Sequence, residues 1–175
     1  FYIGYGAKNN KMITLDTGHF HPTESVADKV SSLLLYVPEL MLHVSRPVRW
    51  DSDHVTIMDD PTMDLFSEIV RCNALDRVHY GLDYFDASIN RIGAYVIGSA
   101  RLKNVWYALY WNRLPNCANM KQTDKASNVW LCSKKKKLCL GMLYGICSAL
   151  KNNVPVGEEF IAEVEKYEAE ALRKR

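Results

Sequence analysis

The chain has 175 residues, which is room for one domain with a sizeable core, and its 22 basic and 20 acidic residues give a net charge of +2. That balance, without a basic face carrying interleaved aromatic residues, argues against nucleic-acid binding, and no apolar run approaches the roughly 18 residues of a membrane span. The five cysteines include no Cys-x-x-Cys pair, so neither a disulfide framework nor a zinc knuckle is indicated, and a reducing, cytoplasmic setting fits best.

Strand-like runs recur along the first half of the chain. The opening FYIGYG (1–6) reads as a strand, and because no Met precedes it we expect the chain to be the end of a longer polypeptide. Apolar runs at 11–16 and 40–45 predict two more strands, and RVHYGLD (77–83) predicts another.

Helices are predicted after each of the three later strands. Apolar residues at helical spacing predict one over 23–37, and a second begins within DDPTMDLFSEIVRC (59–72), with Pro61 at its first helical position. A third is expected over 87–109. An amphipathic helix within 151–175 has acids in its first turn and bases in its last. The predicted N-caps of the first three are Thr23, Asp60 and Asp86.

Strand followed by helix, repeated three times, implies an α/β fold with a parallel sheet and helices outside it. In such folds chemistry collects at the carboxyl ends of the strands. Carboxylate and imidazole side chains lie at or just beyond those ends in this sequence. We therefore expect one edge of the sheet to gather six of them: Asp16, His19, His43, Asp51, Asp53 and Asp83.

This set of residue types favours a divalent metal site. Carboxylates with imidazoles suit Mn²⁺, Mg²⁺ or Co²⁺ better than a structural zinc, which prefers thiolates, and six ligands suit two neighbouring ions. Taken singly, an Asp after a strand is most often a cap or turn residue, and only the coincidence at one edge favours the metal role. Nearby polar residues are interpreted as structural or supporting groups: His21, His54, Glu24, Arg46 and Arg49.

Two long stretches resemble a known family. LDTGHFHPTESVADKVSSLLLYVPELMLHVSRPVRWDSDHV (15–55) and LDRVHYGLDYFDASINRIGAYVIG (75–98) are similar to L-rhamnose isomerase, and the resemblance covers 1–109 and resumes at 151–175. It implies a (β/α)8 TIM barrel, of which this chain would be the C-terminal part plus a C-terminal helix. It also implies a cytoplasmic homotetramer that uses Mn²⁺ to interconvert L-rhamnose and L-rhamnulose.

The resemblance also implies roles for the clustered side chains. Asp51 and Asp53 would be the catalytic carboxylates, orienting the water that carries a proton between O1 and O2 while two ions polarise the sugar for a hydride shift. Phe85, in DYF, would line the sugar pocket. The catalytic metal would take His19, Asp51 and Asp53, and the structural metal Asp16, His43 and Asp83.

Residues 110–150 differ in character from the rest of the chain. They hold four of the five cysteines, the run KKKK (134–137) and a single acidic residue, Asp124. Codons can be chosen for 110–122 so that a neighbouring frame encodes LEPTAKLRKHEA, which is similar to an acidic helical segment of the family. We therefore interpret 110–150 as an out-of-frame segment between two compensating shifts, against the alternative of a basic surface insertion.

Three functional hypotheses remain open at this stage. The first is a C-terminal piece of an L-rhamnose isomerase, and the second is another sugar isomerase on the same barrel. The third is a non-catalytic metal-binding or assembly fragment with KKKK as its interaction patch. Because three or four strands cannot close a barrel, we expect the isolated 175-residue polypeptide to be poorly folded and inactive.

Overall fold

The computed structural model of the chain describes residues 1–85, 88–112, 147, 149–156 and 159–173. Within them a three-stranded sheet has the order β1-β2-β3, and both pairs of neighbours run parallel. The strands are β1 (Ile13–Asp16), β2 (Leu40–Val44) and β3 (Val78–Leu82). The predicted α/β class with parallel strands is thereby confirmed.

Among the described residues, one helix precedes the sheet, and the others lie between and after the strands. They are α1 (Tyr2–Asn9), α2 (Ala27–Leu33), α3 (Asp60–Arg71), α4 (Arg91–Asn112) and α5 (Glu159–Tyr167), and a π-helical turn (Glu168–Leu172) extends α5. The chain divides into two compact units, residues 1–102 and 103–175, and the sheet belongs to the first. Among the described residues, no helix is both long and apolar enough to cross a membrane.

The opening segment is helical, so the prediction of a strand at 1–6 is wrong. Its aromatic residues have strand-like composition, but Phe1 and Tyr5, four residues apart, stack with their ring centroids 6.0 Å apart along one helix face. The helix ends at Asn9, and the left-handed backbone of the next residue, Asn10 (φ 51°), lets Lys11 N–H donate to the Gly6 carbonyl. The stacking of these two rings favours a helix in a segment whose composition is typical of a strand.

Two of the predicted helix caps are also wrong. The carboxylate of Asp59, not Asp60, accepts a hydrogen bond from Thr62 N–H (3.0 Å), so α3 starts one residue earlier than expected. The N-cap of α2 is Val26, whose apolar side chain cannot accept a hydrogen bond, and the Thr23 hydroxyl lies 2.7 Å from a ring nitrogen of His21.

The start of α4 also differs from the prediction. The side chain of Asn90 accepts from Gly93 N–H (2.7 Å), which fits the start of α4 at Arg91. The expected cap Asp86 and the expected first residue Ala87 lie outside the described residues. The Asn90 side chain thus takes the capping position that was predicted for Asp86, and α4 begins four residues later than the predicted start at Ala87.

The core is built on the central strand. Leu40, Leu42 and Val44 of β2 are almost fully buried and alternate with the half-buried Met41 and His43. Because strand side chains alternate between faces, this pattern places the apolar set on one face and His43 on the other. Helices α2 and α3 pack on each other and supply the buried Val30, Phe66 and Ile69.

An arginine ties the end of α2 to the sheet. The Arg77 guanidinium donates to the carbonyls of Leu34 (2.9 Å), Val37 (3.1 Å) and Pro38 (2.8 Å). Leu34 is the C-cap of α2, and Val37 and Pro38 lie in the loop before β2, so this side chain supplies donors to carbonyls beyond the regular helix. Its own carbonyl accepts from Leu40 N–H (2.9 Å), so the start of β2 is fixed beside β3.

Candidate metal centre

The register of the three strands brings Asp16, His43 and Asp83 together. Asp16 and His43 are paired positions of β1 and β2, and Asp83 follows β3, donating its N–H to the Val44 carbonyl (3.2 Å). The ring nitrogen Nδ1 of His43 lies 3.2 Å from Asp16 Oδ2 and 3.0 Å from Asp83 Oδ2. Three parallel strands thus deliver two carboxylates around one imidazole.

A tight turn after β1 carries His19 back over the strand end. Gly18 N–H donates to Asp16 Oδ1 (2.9 Å), the local side-chain-to-backbone bond that Asp commonly makes in turns. His19 Nε2 then lies 3.7 Å from Asp16 Oδ2 and 3.9 Å from Asp53 Oδ2. One oxygen of Asp16 is held by the backbone, and the other faces both histidines.

The ligand atoms form two overlapping groups. One comprises Asp16, His19 and Asp53, and the other Asp16, His43 and Asp83; within each, the candidate ligand atoms lie within 4.8 Å of one another. Asp51 belongs to neither group: its Oδ1 lies 3.6 Å from His19 Nε2, its side chain is 79% exposed, and its φ is 54°. Asp16 is thus common to both groups, where the sequence had placed it in one.

The loop between β2 and α3 is tied down at several points. Arg46 and His54 exchange two backbone hydrogen bonds (2.9 and 3.2 Å), which closes the loop at its base. The Trp50 indole donates to the His19 carbonyl (3.1 Å), and Ser52 N–H donates to the Gly18 carbonyl (3.3 Å). These bonds fix the loop that carries the two aspartates against the turn that carries His19.

Three residues that the sequence did not single out support the centre. Ser45 Oγ donates to Asp53 Oδ1 (2.9 Å), and the Thr17 hydroxyl holds Ser45. Gly18 leaves space for this arrangement, because a Cβ there would lie 1.8 Å from Asp53 Oδ1. The only signal in the sequence was their position directly after β1 and β2.

Glu24 has an ion-pair partner of its own, whereas Arg46 Nε and His54 Nδ1 are buried with no hydrogen-bond partner among the described residues. Lys29 Nζ lies 2.6 Å from the Glu24 carboxylate, and this hydrogen-bonded ion pair holds the pKa of Glu24 below its usual range.

Phe85, expected to line a sugar pocket, is 66% exposed, and its N–H donates to the Asp53 carbonyl (3.2 Å). Burial raises the pKa of the neighbouring Tyr84 to about 12, so its phenol, which donates to the Ala94 carbonyl, is neutral at pH 7.

The donor set fits hard or borderline divalent ions. All its ligand atoms are carboxylate oxygens or imidazole nitrogens. Ligands at about 2.0–2.2 Å from one ion lie at most about 4.4 Å apart, and the carboxylate-to-imidazole distances of 3.0–3.9 Å fall inside that limit. A carboxylate common to both groups suits two ions placed side by side.

A parallel α/β sheet with such a cluster at its carboxyl edge defines a class: α/β proteins with a divalent-metal centre at the strand ends. The family model of L-rhamnose isomerase (RhaA) matches residues 1–175, and the chain belongs to that family. The resemblance read from the two long motifs is thereby confirmed.

Curated relatives named L-rhamnose isomerase agree with this assignment. The chain is 68% identical over 180 residues to one from Bacteroides thetaiotaomicron, and 47% identical over 180 residues to those from Yersinia pestis and Yersinia pseudotuberculosis. Each alignment covers 100% of this chain and 42% of the relative. The chain therefore spans less than half the length of the relatives that it matches.

Proposed function

We propose that the protein of which this chain is part is an L-rhamnose isomerase, which interconverts L-rhamnose and L-rhamnulose. Family membership and 68% identity to a relative of that name support the activity. The observation that carries the proposal is the pair of ligand groups sharing Asp16 at the carboxyl edge of the sheet. Metal-assisted aldose–ketose isomerisation requires such a site, because the substrate offers only neutral oxygens for the protein to polarise.

Two Mn²⁺ ions are the cofactors we propose for this site. His19 and Asp53, with Asp51 beside them, would hold one ion, and His43 and Asp83 the other, with Asp16 between them. Bound there, the ions would supply Lewis-acid polarisation of the sugar's carbonyl and hydroxyl oxygens.

The isomerisation moves one hydride and one proton within the sugar and needs no external oxidant or reductant. The hydrogen on C2 moves to C1 with its electron pair, C1=O becomes a hydroxyl, and a proton passes from O2 to O1. We assign Asp51 and Asp53 different parts in this step. Asp53 is 16% exposed and held by Ser45, which supports a part in fixing the geometry, and the exposed Asp51 would orient the water that carries the proton from O2 to O1.

Phe85 is proposed to line the sugar pocket. Its side chain is exposed, and its backbone N–H donates to the Asp53 carbonyl, which joins Phe85 to the loop that carries a candidate ligand. An aromatic side chain next to polar groups is typical of sugar-binding sites, because the C–H groups on the face of a sugar pack against an apolar surface. A Phe85→Ala change should raise KM for the sugar more than it lowers kcat.

The setting of the complete protein is a further part of the proposal. Within the described residues, β1 and β3 each pair on one side only, which suits a sheet continued by further strands into a (β/α)8 barrel. We propose a cytoplasmic homotetramer that acts on a small sugar and uses neither nucleic acid nor a membrane surface.

The family model matches residues 1–175, and within that span residues 110–150 are proposed to be translated out of frame. Residues 113–146 lie outside the described residues, so the proposal rests on composition and on the frame-shifted text. Resequencing the coding DNA across this segment should find two small, compensating insertions or deletions. An unbroken reading frame in independent reads would leave 110–150 as a true part of the protein.

Two hybrid proteins test the isomerase activity. In the short hybrid, residues 1–109 of this chain replace the matching segment of the Bacteroides thetaiotaomicron relative; in the long hybrid, residues 1–175 do so. We expect the short hybrid to convert L-rhamnose to L-rhamnulose with added Mn²⁺, and the long hybrid and the isolated chain to be inactive.

The outcomes separate the competing functions. A short hybrid that binds Mn²⁺ but turns over no sugar would favour a non-catalytic metal-binding fragment. One that turns over another aldose in preference to L-rhamnose would favour a different sugar isomerase. The short hybrid with Asp16→Asn is the matched control, and it should be inactive whichever sugar is used.

A further inference from the structure

Ser45 lies directly after β2 and contacts a ligand of only one of the two groups. We propose that Ser45, held by Thr17, is a positioning residue that fixes Asp53 for a single ion, the one shared with His19. This inference rests on the proposed two-ion centre. It adds to that centre a hydrogen-bond chain whose loss should affect one ion and spare the other.

The chain of hydrogen bonds begins at Thr17. Its hydroxyl accepts from Ser45 N–H (2.8 Å) and lies 2.8 Å from the Ser45 carbonyl, so it is hydrogen-bonded to both backbone groups of Ser45. The Thr17 backbone N–H donates to the His43 carbonyl (3.0 Å), which fixes Thr17 itself to β2. Ser45 is 3% exposed and therefore has little freedom to leave this position.

The direction of the last hydrogen bond follows from counting protons. Thr17 has one hydroxyl proton, and its nearest acceptor is the Ser45 carbonyl, with the Ser45 hydroxyl farther away at 3.3 Å. An ionised carboxylate can only accept, so the Ser45 hydroxyl proton goes to Asp53 Oδ1 at 2.9 Å. A hydrogen bond to a charged acceptor at a buried position is among the stronger ones in proteins.

The consequence is a fixed orientation of the Asp53 carboxylate. With Oδ1 engaged by Ser45, Oδ2 faces the His19 ring at 3.9 Å and is the oxygen left to bind a metal. Asp53 would therefore bind through one oxygen rather than chelate through two. Partners of this kind behind a metal ligand typically change metal affinity by about 10–100-fold when removed.

The second ligand group makes no use of this side chain. The His43 ring lies 3.2 Å from Asp16 and 3.0 Å from Asp83, while the Ser45 hydroxyl contacts Asp53 and Thr17. Loss of the hydroxyl should therefore weaken one Mn²⁺ binding step and leave the other unchanged. A residue that merely stabilised the fold would weaken both steps together or neither.

The test is a Mn²⁺ titration of the short hybrid, followed by electron paramagnetic resonance, with Ser45→Ala as the variant. We expect one binding step to weaken about 10–100-fold and the other to stay within about threefold. Thr62→Val is the matched control, because it also removes a buried threonine hydroxyl, at a residue in the first turn of α3 that belongs to neither ligand group. It should leave both steps unchanged.

A double variant shows where Ser45 acts. In a His19→Ala background, where the ion in question is already lost, Ser45→Ala should have no further effect on the remaining step. Should Ser45→Ala fail to fold, Thr17→Val and Thr17→Ser replace it: Val releases Ser45 and should weaken the same step, whereas Ser keeps the hydroxyl and should not.

Three results would overturn the inference. They are unchanged binding of both ions in Ser45→Ala, equal weakening of both steps, and equal effects of the two Thr17 variants. Failure of the isomerase proposal is a separate result, since a short hybrid that binds two ions without sugar turnover still reports on Ser45. A parent hybrid that binds no Mn²⁺ would overturn both.

Discussion

Gly18 is the position at which the smallest substitution should do the greatest damage to the centre. Its backbone has no left-handed φ, so alanine would be tolerated there if space allowed. Space does not allow it, because the new Cβ would lie 1.8 Å from Asp53 Oδ1 and 2.8 Å from Ser45 Oγ. Gly18→Ala must therefore move the carboxylate, the turn, or both.

The size of the displacement follows from the contact distance. Real Cβ atoms essentially never approach another heavy atom closer than 3.0 Å, so Cβ and Oδ1 must separate by at least a further 1.2 Å. Metal sites tolerate ligand distances to within about 0.2 Å. We expect Gly18→Ala to weaken the binding of the ion at Asp53 and His19 by at least 10-fold, and to lower the free energy of unfolding by roughly 1–3 kcal/mol.

The assay is a Mn²⁺ titration and a thermal melt of the short hybrid, with Gly4→Ala as the matched control. Gly4 lies inside α1 with nothing within 4 Å of its would-be Cβ. Alanine there should raise stability by about 0.5–1 kcal/mol through helix propensity and leave both ions in place. A Gly18→Ala protein that binds both ions like its parent would refute the steric reasoning.

Three further predictions concern the scaffold, each measured by denaturant unfolding of the short hybrid. Glu68→Gln should cost about 1 kcal/mol at pH 7. Hydrogen bonds from Arg71 lower the Glu68 pKa to about 2, so this loss should shrink as the pH falls from about 4.5 towards 2; a pH-independent loss would contradict it. Arg77→Ala should cost about 1–3 kcal/mol, since three backbone carbonyls lose their donor, and Arg77→Lys should recover only part. Tyr84→Phe should cost about 1 kcal/mol through the carbonyl of Ala94, and an unchanged midpoint would show that water replaces the phenol.

The strand ends could be predicted from the sequence because their signals are local. β1 ends in Asp16, and β2 and β3 are followed directly by the polar residues Ser45 and Asp83, so Asp16 and Asp83 mark the ends of their strands. Parallel order then follows from the helices between the strands, and with it the expectation that these carboxylates meet His43. The structure brings together five of the six predicted ligands in two groups.

What the sequence could not supply depends on turn geometry and on packing. The sharing of Asp16 by both groups depends on how sharply the chain turns at Gly18, which spacing alone does not determine. The hydroxyls of Thr17 and Ser45 look like ordinary strand-end residues until the loop that carries Asp53 folds back on them. The strand predicted at 1–6 was wrong because stacking of aromatic residues four apart favours a helix.

The measurement that tests the account most directly is the spin state of Mn²⁺ bound to the short hybrid at two equivalents per chain. If one carboxylate, Asp16, serves both ions, the two should lie side by side, and the resonance spectrum should be that of a magnetically coupled pair. Asp16→Asn should abolish the coupled signal and weaken both binding steps. Two independent, uncoupled ions, or a single ion per chain, would contradict the shared-carboxylate centre.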